Sequence, residues 1–370
     1  MLVNVERLHR LMDEAGVDAV VVRSGVNVTY LSGVFFPGTL QRHLDLVDSP
    51  RGVFVVWPRR GQTTIVLNPL AAPLARRDTW LDRVEMHEGY TERPIERLAA
   101  VLRGLGLADG RIGFEQAAMN VIDWAALDDM LPSVKRSDCT ALMDRVRWIK
   151  TPGEVALLRQ AANLLDDAYL EVFPTIRDAE AESAVHSRIV GSCIRRGAGW
   201  AHGILHSDRN KLAHGGESAM QFRAGDVIRT DYVSYLRGYP GHQSRTVILG
   251  KPTAEQLATY AKVRDVYLRV IDECQPGALT SDIHARTTEW LHGIGARTIP
   301  MLCGHGVGPW WHQQERLIAA GSMHRLQAGM VLALEPYLDH WHLQDMVEVT
   351  EAGPVLLSAK LPTDQPFMAG

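Results

Sequence analysis

The chain has 370 residues, of which 46% are hydrophobic and 22% charged, and its formal net charge is −4. This length exceeds what one hydrophobic core usually serves, which favours two domains, and the charge leaves no basic patch for nucleic acid. The sequence contains no run of about 18 apolar residues that could span a bilayer, and it begins with a charged helix pattern instead of a signal segment. The four cysteines show no Cys-x-x-Cys spacing, so neither a zinc knuckle nor a disulfide framework is expected. We therefore expect a cytoplasmic protein that binds a small molecule, with no nucleic-acid or membrane partner.

The first part of the chain alternates helical and strand patterns, which indicates an α/β domain. Apolar residues recur at helical spacing from Val5 to Ala15, and short β-branched runs are typical of buried strands. The segment Arg103–Gly106 lacks the flanking strand of a dinucleotide-binding fold and is interpreted as a helix end. The other predicted elements of this part are strands at Val17–Val22, Val28–Gly33, Gly52–Trp57, Thr63–Leu67 and Arg111–Phe114, and helices at Pro94–Leu105 and Val121–Met130. Two further helices are predicted in the second part of the chain, at Pro152–Phe173 and Ala179–Arg196.

The segment Arg229–Gly250 predicts a β-hairpin rich in polar side chains. Its apolar, β-rich residues are interrupted by the turn-prone pair Arg237–Gly238. Paired strands bring together residues that are equidistant from the turn, so Asp231 and His242 are expected to lie side by side. The hairpin also carries Arg245 on its second strand.

Other polar residues lie before and after this hairpin in the second part of the chain. They are His214, seventeen residues before Asp231, then His305 between two glycines, His312, Glu335 and Gln344. This layout resembles the pita-bread hydrolases, the family that includes Xaa-Pro aminopeptidase, prolidase, creatinase and ectoine hydrolase. The resemblance covers essentially the whole chain. It implies an α/β (α+β) fold with an N-terminal creatinase-like α/β domain at residues 1–146 and a C-terminal pita-bread catalytic domain at residues 147–370.

The resemblance also raises the question of metal ions. In the peptidases of that family two divalent ions share five ligands, and the corresponding positions here are Asp231, His242, His305, Glu335 and Gln344. His242 and Gln344 stand where the family has bridging carboxylates, and neither an imidazole nor a neutral amide bridges two ions well. The paired-ion site is therefore expected to be absent. Two alternatives remain: one divalent ion (zinc, manganese or iron) on His242, His305 and Glu335 with a position open for water, or no metal, which we favour because creatinase and ectoine hydrolase show it for this fold.

The metal-free alternative predicts hydrolysis of a C–N bond in a small amidine, amide or guanidino compound, as in creatinase or ectoine hydrolase. In this hypothesis His214 shuttles the proton, Asp231 and Glu335 hold a cationic part of the substrate, and His305 and His312 orient or polarise the reacting group. Two other functions stay open, a mononuclear metal-dependent Xaa-Pro peptidase or lyase and a non-catalytic pita-bread binding protein. The candidate substrate-binding residues are Arg42, His242, Gln344, Arg245 and Trp310.

For some of these residues the sequence also allows a role outside substrate binding. Creatinase-like proteins are homodimers in which an N-terminal loop reaches the partner's pocket, so the resemblance implies a homodimer here as well. Arg42 and His43 are therefore either a clamp for a zwitterionic or carboxylate-bearing substrate or solvated loop residues. Trp310 is either part of an aromatic wall for a cationic group or a core or dimer contact. The pattern assigns no role to His340, Trp341 and His342.

Overall fold

The computed structural model describes residues 2–36, 38–46, 49–212, 218–297, 300–310, 317–358 and 360–370. Backbone contacts divide the chain into two compact units, Met1–Arg147 and Trp148–Gly370. Each unit is a mixture of helices and strands, which confirms the predicted α/β class. None of the described helices is long and apolar enough to cross a membrane.

The first unit is built on a six-stranded sheet with the strand order β4-β3-β2-β1-β5-β6. Strand β1 pairs antiparallel with β2 and parallel with β5, so the sheet is mixed. Apolar side chains cover both faces of its central strands, which places two hydrophobic clusters on opposite sides of the sheet. The elements are α1 (Val5–Ala15), β1 (Ala19–Val22), α2 (Gly25–Ser32), α3 (Gly38–Asp45), β2 (Phe54–Pro58), β3 (Thr64–Leu67), α4 (Ala72–Asp78), β4 (Arg83–Met86), α5 (Pro94–Gly104), β5 (Arg111–Phe114), α6 (Val121–Met130), β6 (Lys135–Asp138) and α7 (Thr140–Trp148).

One predicted strand of this unit is wrong. The β-branched and aromatic residues of Val28–Gly33 belong to helix α2. Ser24 caps the helix, since its side chain accepts a hydrogen bond from the backbone N–H of Asn27 at 3.2 Å, and Gly33 ends it with a φ of 76°. The helix is buried on almost every side, so apolar periodicity could not distinguish it from a buried strand.

The second unit contains a five-stranded sheet in which β17-β10-β8-β7 are neighbours and β9 also pairs with β8, a four-stranded sheet in the order β11-β12-β15-β16, and the two-stranded ribbon β13-β14. Its elements are α8 (Pro152–Val172), α9 (Glu182–Arg195), β7 (Trp200–Ser207), β8 (Val227–Leu236), β9 (Tyr239–Gln243), β10 (Thr246–Leu249), α10 (Ala254–Asp272), α11 (Thr280–Gly293), β11 (Gly304–Gly306), β12 (Val331–Leu334), β13 (Tyr337–Leu338), β14 (Trp341–His342), β15 (Asp345–Thr350), β16 (Gly353–Leu356) and β17 (Phe367–Ala369).

The two larger sheets of this unit are joined where their polar side chains meet. Ser244, between β9 and β10, forms an isolated antiparallel bridge with Gln344, just before β15. Both backbone hydrogen bonds of the bridge are present, at 3.1 and 3.2 Å. Beside it, Gly241 packs so closely on helix α8 that a Cβ atom there would lie 2.1 Å from the carbonyl oxygen of Ala161. The hairpin is therefore held between α8 and β15, and this fixes the side chains described next.

Candidate active site

The β8–β9 hairpin brings Asp231 and His242 together, as predicted, although not directly opposite each other. Arg237 and Gly238 form its turn with φ angles of 52° and 85°. The register pairs His242 with Val233, one step along the same face from Asp231. The two side chains are therefore diagonal neighbours, with 3.9 Å between His242 Nδ1 and Asp231 Oδ1.

Asp231, Glu335 and His342 converge on one point. Each offers a ligand atom, and these atoms lie within 4.8 Å of one another. Glu335 follows strand β12, and His342 reaches the point because the β13–β14 ribbon pairs it with Tyr337. A fourth group, His305 on β11, places its Nε2 atom 3.7 Å from Glu335 Oε1. The centre thus combines two carboxylates with buried imidazoles.

Gln344 organises the other side of this centre. Its amide oxygen accepts a hydrogen bond from the Ser244 hydroxyl at 2.7 Å, so its amide nitrogen faces the opposite way. That nitrogen donates to His242 Nε2 at 3.0 Å and to Glu335 Oε2 at 3.4 Å. His242 Nδ1 in turn donates to the carbonyl oxygen of Tyr232 at 3.1 Å. This assigns the neutral Nδ1–H tautomer to His242 and occupies its Nε2 lone pair with an amide proton.

The two carboxylates differ in their tendency to ionise. Burial and the charge of Asp231 raise the pKa of Glu335 to about 8, and Arg229 only partly offsets this. Burial acts to raise the pKa of Asp231 as well, but the surrounding cationic and imidazole groups outweigh it and hold that pKa below its ordinary value; these groups are His342, His242, Arg229 and His305. In the protein without a bound ion, Glu335 is therefore protonated at neutral pH and Asp231 is ionised.

An open pocket of about 380 Å³ adjoins this centre. Asp231, His242 and Glu335 line it together with Arg229, a buried residue on the same face of β8. His202 on β7 also lines the pocket, and burial lowers the pKa of its imidazole to about 4, so it is uncharged at neutral pH. The sequence-based predictions missed Arg229, His202 and His342. The signal for Arg229 was its i, i+2 spacing from Asp231, which puts both on one face of a strand.

Arg245 does not have the predicted substrate-binding position. Its guanidinium is 2% exposed and forms an ion pair with Asp345 at 3.0 Å. Its terminal nitrogens also donate to the carbonyl oxygens of Ser244 and Gln344 at 2.8 and 3.0 Å. The side chain therefore ties the hairpin to β15 from the face that is turned away from the pocket, and its role is structural.

Of the other predicted site residues, the structure describes the side chain of Trp310. Trp310 packs among aromatic rings, 6.1 Å from Trp200 and 5.7 Å from Tyr235 between ring centroids, and its backbone N–H donates to the carbonyl of Gly238 at 3.0 Å. This arrangement matches the core-contact alternative. His214 and His312 lie outside the described residues, as do the side chains of Arg42 and His43.

The comparisons with known proteins bear on this geometry. Residues 156–351 match the model of Metallopeptidase family M24, and residues 4–149 match the Creatinase/Prolidase N-terminal domain. The first match spans more than half of the chain. The protein belongs to Metallopeptidase family M24.

Two relatives of this M24 protein have names that describe peptidases. It is 24% identical to the uncharacterized peptidase YqhT of Bacillus subtilis, with 94% of this chain and 96% of that protein covered. It is also 24% identical to an Xaa-Pro dipeptidase of Pyrococcus furiosus, with 94% and 95% covered. Among solved structures, the X-Pro aminopeptidase of Thermotoga maritima superposes with a TM-score of 0.82 over 98% of this chain and 100% of that one, at 19% identity. That likeness shows the shared fold.

The side chains at the centre fit one divalent ion. Asp231, Glu335 and His342 supply two carboxylates and an imidazole within 4.8 Å, and two carboxylate charges balance one divalent cation. Among the described side chains a second ion lacks a fitting ligand set, because the amide N–H donors of Gln344 lie between His242 and Glu335, where an acceptor would be needed. The M24 centre of this chain is therefore suited to a single ion.

Two expectations from the sequence are wrong. A creatinase- or ectoine-hydrolase-like C–N hydrolase is contradicted by the peptidase family and the peptidase relatives. The favoured metal-free site is contradicted by the metallopeptidase family and by the convergence of Asp231, Glu335 and His342. The error arose because the change of two motif ligands, at His242 and Gln344, was interpreted as the loss of the metal site. His342, which is not part of the motif, contributes a ligand atom to that site.

Proposed function

We propose that the protein is a metal-dependent peptidase that cleaves small peptides before proline, with one divalent ion held by Asp231, Glu335 and His342. The observation that carries the proposal is the convergence of these three side chains beside an open pocket. The names of its relatives, an Xaa-Pro dipeptidase and an X-Pro aminopeptidase, support the choice of substrate class.

The ion and the protein divide the chemistry between them. A divalent ion held by Asp231, Glu335 and His342 would supply Lewis acidity toward a carbonyl oxygen and would lower the pKa of water. Glu335 is held by the Gln344 amide at Oε2, so Oε1 faces His305 Nε2. His305 Nδ1 lies 3.0 Å from the carbonyl oxygen of Gly306 and donates to it, which leaves the Nε2 lone pair on the side of Glu335. His305 Nε2 can therefore accept and hold one proton next to the reacting bond when Glu335 is ionised.

The pocket limits the substrate to a small molecule. Its volume of about 380 Å³ is at the lower end of the range for ligand pockets. Apolar side chains of Ile204, Val233 and Leu302 line part of it and provide a surface for an apolar side chain or a pyrrolidine ring. Three charged residues of the lining, Arg229, Asp231 and Glu335, lie next to one another, since Arg229 pairs with Asp231 at 3.5 Å and the ligand atoms of Asp231 and Glu335 lie within 4.8 Å.

The test combines metal analysis with turnover of matched peptides. The protein is stripped with a chelator, reloaded separately with manganese, cobalt or zinc, and assayed with Xaa-Pro dipeptides and with the corresponding Xaa-Ala dipeptides. We expect one ion per chain, cleavage of the Xaa-Pro peptides, loss of cleavage on chelation, and its return on reloading. Undiminished activity in the stripped protein, or no peptide cleavage with any of the three ions, would refute the proposal.

A further inference from the structure

The phenol ring of Tyr337 packs against groups that belong to the metal centre. The residue lies two positions after Glu335, and the β13–β14 ribbon pairs it with His342. Its ring centroid is 5.5 Å from that of His342, and the guanidinium of Arg229 lies over the ring at 4.8 Å from the centroid. Arg229 in turn pairs with Asp231. These contacts fix the ring next to the side chains that converge on the ion position.

The hydroxyl group of Tyr337 is not used inside the protein. It makes no hydrogen bond within the described part of the chain, and it is not sealed from solvent. Structural tyrosines of the same unit behave differently, because the hydroxyl donates to an internal acceptor in Tyr169, Tyr239, Tyr260 and Tyr267. The contrast indicates that the hydrogen-bond partner of the Tyr337 hydroxyl is a ligand.

Tyr337 lines two pockets, the one beside the metal centre and a neighbouring one of about 760 Å³. Burial raises the pKa of its phenol, and the other groups that act on this pKa are Arg229, Glu335, Cys303 and Asp231. The second pocket has its own acidic residues, which are not among those groups: Asp208, Glu255 and Asp339. The hydroxyl therefore lies on the side of the metal centre.

Neighbouring polar groups of this centre have already committed their protons. His242 and His305 each donate an Nδ1–H proton to a backbone carbonyl oxygen. The side-chain amide of Gln344 donates to His242 and Glu335. A phenol, whose ordinary pKa is about 10, keeps its proton at neutral pH and can donate it in a hydrogen bond. Tyr337 thus brings a neutral donor with an uncommitted proton to the place where the carboxylates bring only acceptors.

We propose that Tyr337 is a further catalytic residue, whose hydroxyl donates a hydrogen bond to the carbonyl oxygen of the scissile bond as that oxygen becomes negative. This assignment rests on the proposed function. The O–H bond stays intact, so the step needs no proton transfer and no co-reactant. Because the ring is fixed by Arg229 and His342, the donor is oriented before the charge develops, and the hydrogen bond is stronger in the transition state than with the bound substrate.

The first experiment removes the hydroxyl and keeps the ring. The metal-loaded wild type, Tyr337→Phe and Tyr260→Phe are assayed with Xaa-Pro dipeptides, and the metal content of each is measured. We expect Tyr337→Phe to lower kcat roughly a hundredfold with little change in KM and one ion still bound. Tyr260→Phe is the matched control, because it loses a hydroxyl that donates to the carbonyl oxygen of Thr363, and it should keep the wild-type kcat. An unchanged kcat in Tyr337→Phe overturns the inference and leaves the peptidase proposal standing.

A second measurement does not depend on turnover. Titration calorimetry of the metal-loaded proteins compares 1-aminoethylphosphonate, whose tetrahedral charged oxygens resemble the intermediate, with alanine, whose carboxylate is planar. The phosphonate should bind the wild type roughly tenfold more tightly than Tyr337→Phe, and alanine should show a smaller difference. Equal phosphonate affinities in the two proteins overturn the inference. If no peptide is cleaved but phosphonate binding depends on the Tyr337 hydroxyl, the donor site stands and the peptidase proposal falls.

Discussion

The side-chain amide of Gln344 donates to His242 Nε2 at 3.0 Å, and this contact closes the side of the centre at which a second ion would need acceptors. Glutamate at the same position would provide acceptors alone. We therefore expect Gln344→Glu to raise the bound metal from one ion per chain to two when manganese is in excess, as measured by elemental analysis after gel filtration. Gln344→Met, which can neither donate nor bind an ion, should stay at one. An unchanged stoichiometry in Gln344→Glu would contradict this account of the contact.

His342 and His242 should respond differently to removal. Because His342 converges with Asp231 and Glu335, we expect His342→Ala to weaken metal binding by at least about 100-fold, since even partners one step beyond the ligands contribute about 10–100-fold. His242→Ala should weaken it far less, since its Nε2 atom is bonded to Gln344. Titration calorimetry of the chelated proteins with zinc measures both. The opposite ranking would favour the ligand set His242, His305 and Glu335.

The raised pKa of Glu335 predicts how the metal-free protein responds to pH. A carboxyl group whose pKa is about 8 in the folded state holds a proton that the unfolded chain has already released above about pH 4.5. The folded state therefore loses stability as pH rises from about 4.5 to 8, and the loss levels off above 8. Glu335→Gln has no such proton. In urea unfolding of chelated protein, the stability of Glu335→Gln relative to wild type should rise between pH 6 and 8 and then stay constant; a difference independent of pH would disprove the assignment.

Metal binding should release the same proton from the carboxyl group of Glu335. The ion requires the ionised carboxylate, so each bound ion displaces the proton of Glu335 below pH 8. The apparent affinity should rise about tenfold per pH unit up to about 8 from this group and then flatten. Calorimetry in buffers of different ionisation enthalpy measures the proton released. Absence of proton release at pH 7 would show that Glu335 is already ionised there.

Substitution of Arg245 should reduce the stability of the fold more than substitution of Arg229. Removing Arg245 leaves the buried carboxylate of Asp345 without its cation, so Arg245→Met should lower the free energy of unfolding by about 3–5 kcal/mol. Arg229→Met removes a charge that has no hydrogen bonds in the described structure and should cost much less. Urea unfolding of both variants makes the comparison. Equal losses would mean that Arg229 is also a structural residue.

The sequence predicted local elements well where capping and spacing agree. Helix α1 has the predicted bounds Val5–Ala15, and the turn at Arg237–Gly238 lies where the hairpin requires it. It misassigned α2, because a short helix that is buried all round has no apolar face to reveal its period.

In the site, Asp231, Glu335 and Gln344 could be located by their order in the motif. His342 could not, since it reaches the centre through the pairing of a two-residue strand with Tyr337. Such pairing depends on tertiary contacts that sequence spacing does not encode. Arg229 was detectable only as a residue on the same strand face as Asp231, and its lack of hydrogen bonds needed coordinates.

The alternation of side chains along β9 and β15 has a consequence for how this protein can change. His242 and Ser244 face the site, whereas Gln243 donates to Asp166 on α8 and Arg245 binds Asp345. Gln344 faces the site and its neighbour Asp345 faces the other way. The side chains that form the site and those that hold the sheets together thus lie on opposite faces of the same strands. Substitutions on the site side can exchange one set of ligands for another while the ion pair behind them keeps the sheets in register, which makes this centre open to new reactions at small cost to folding.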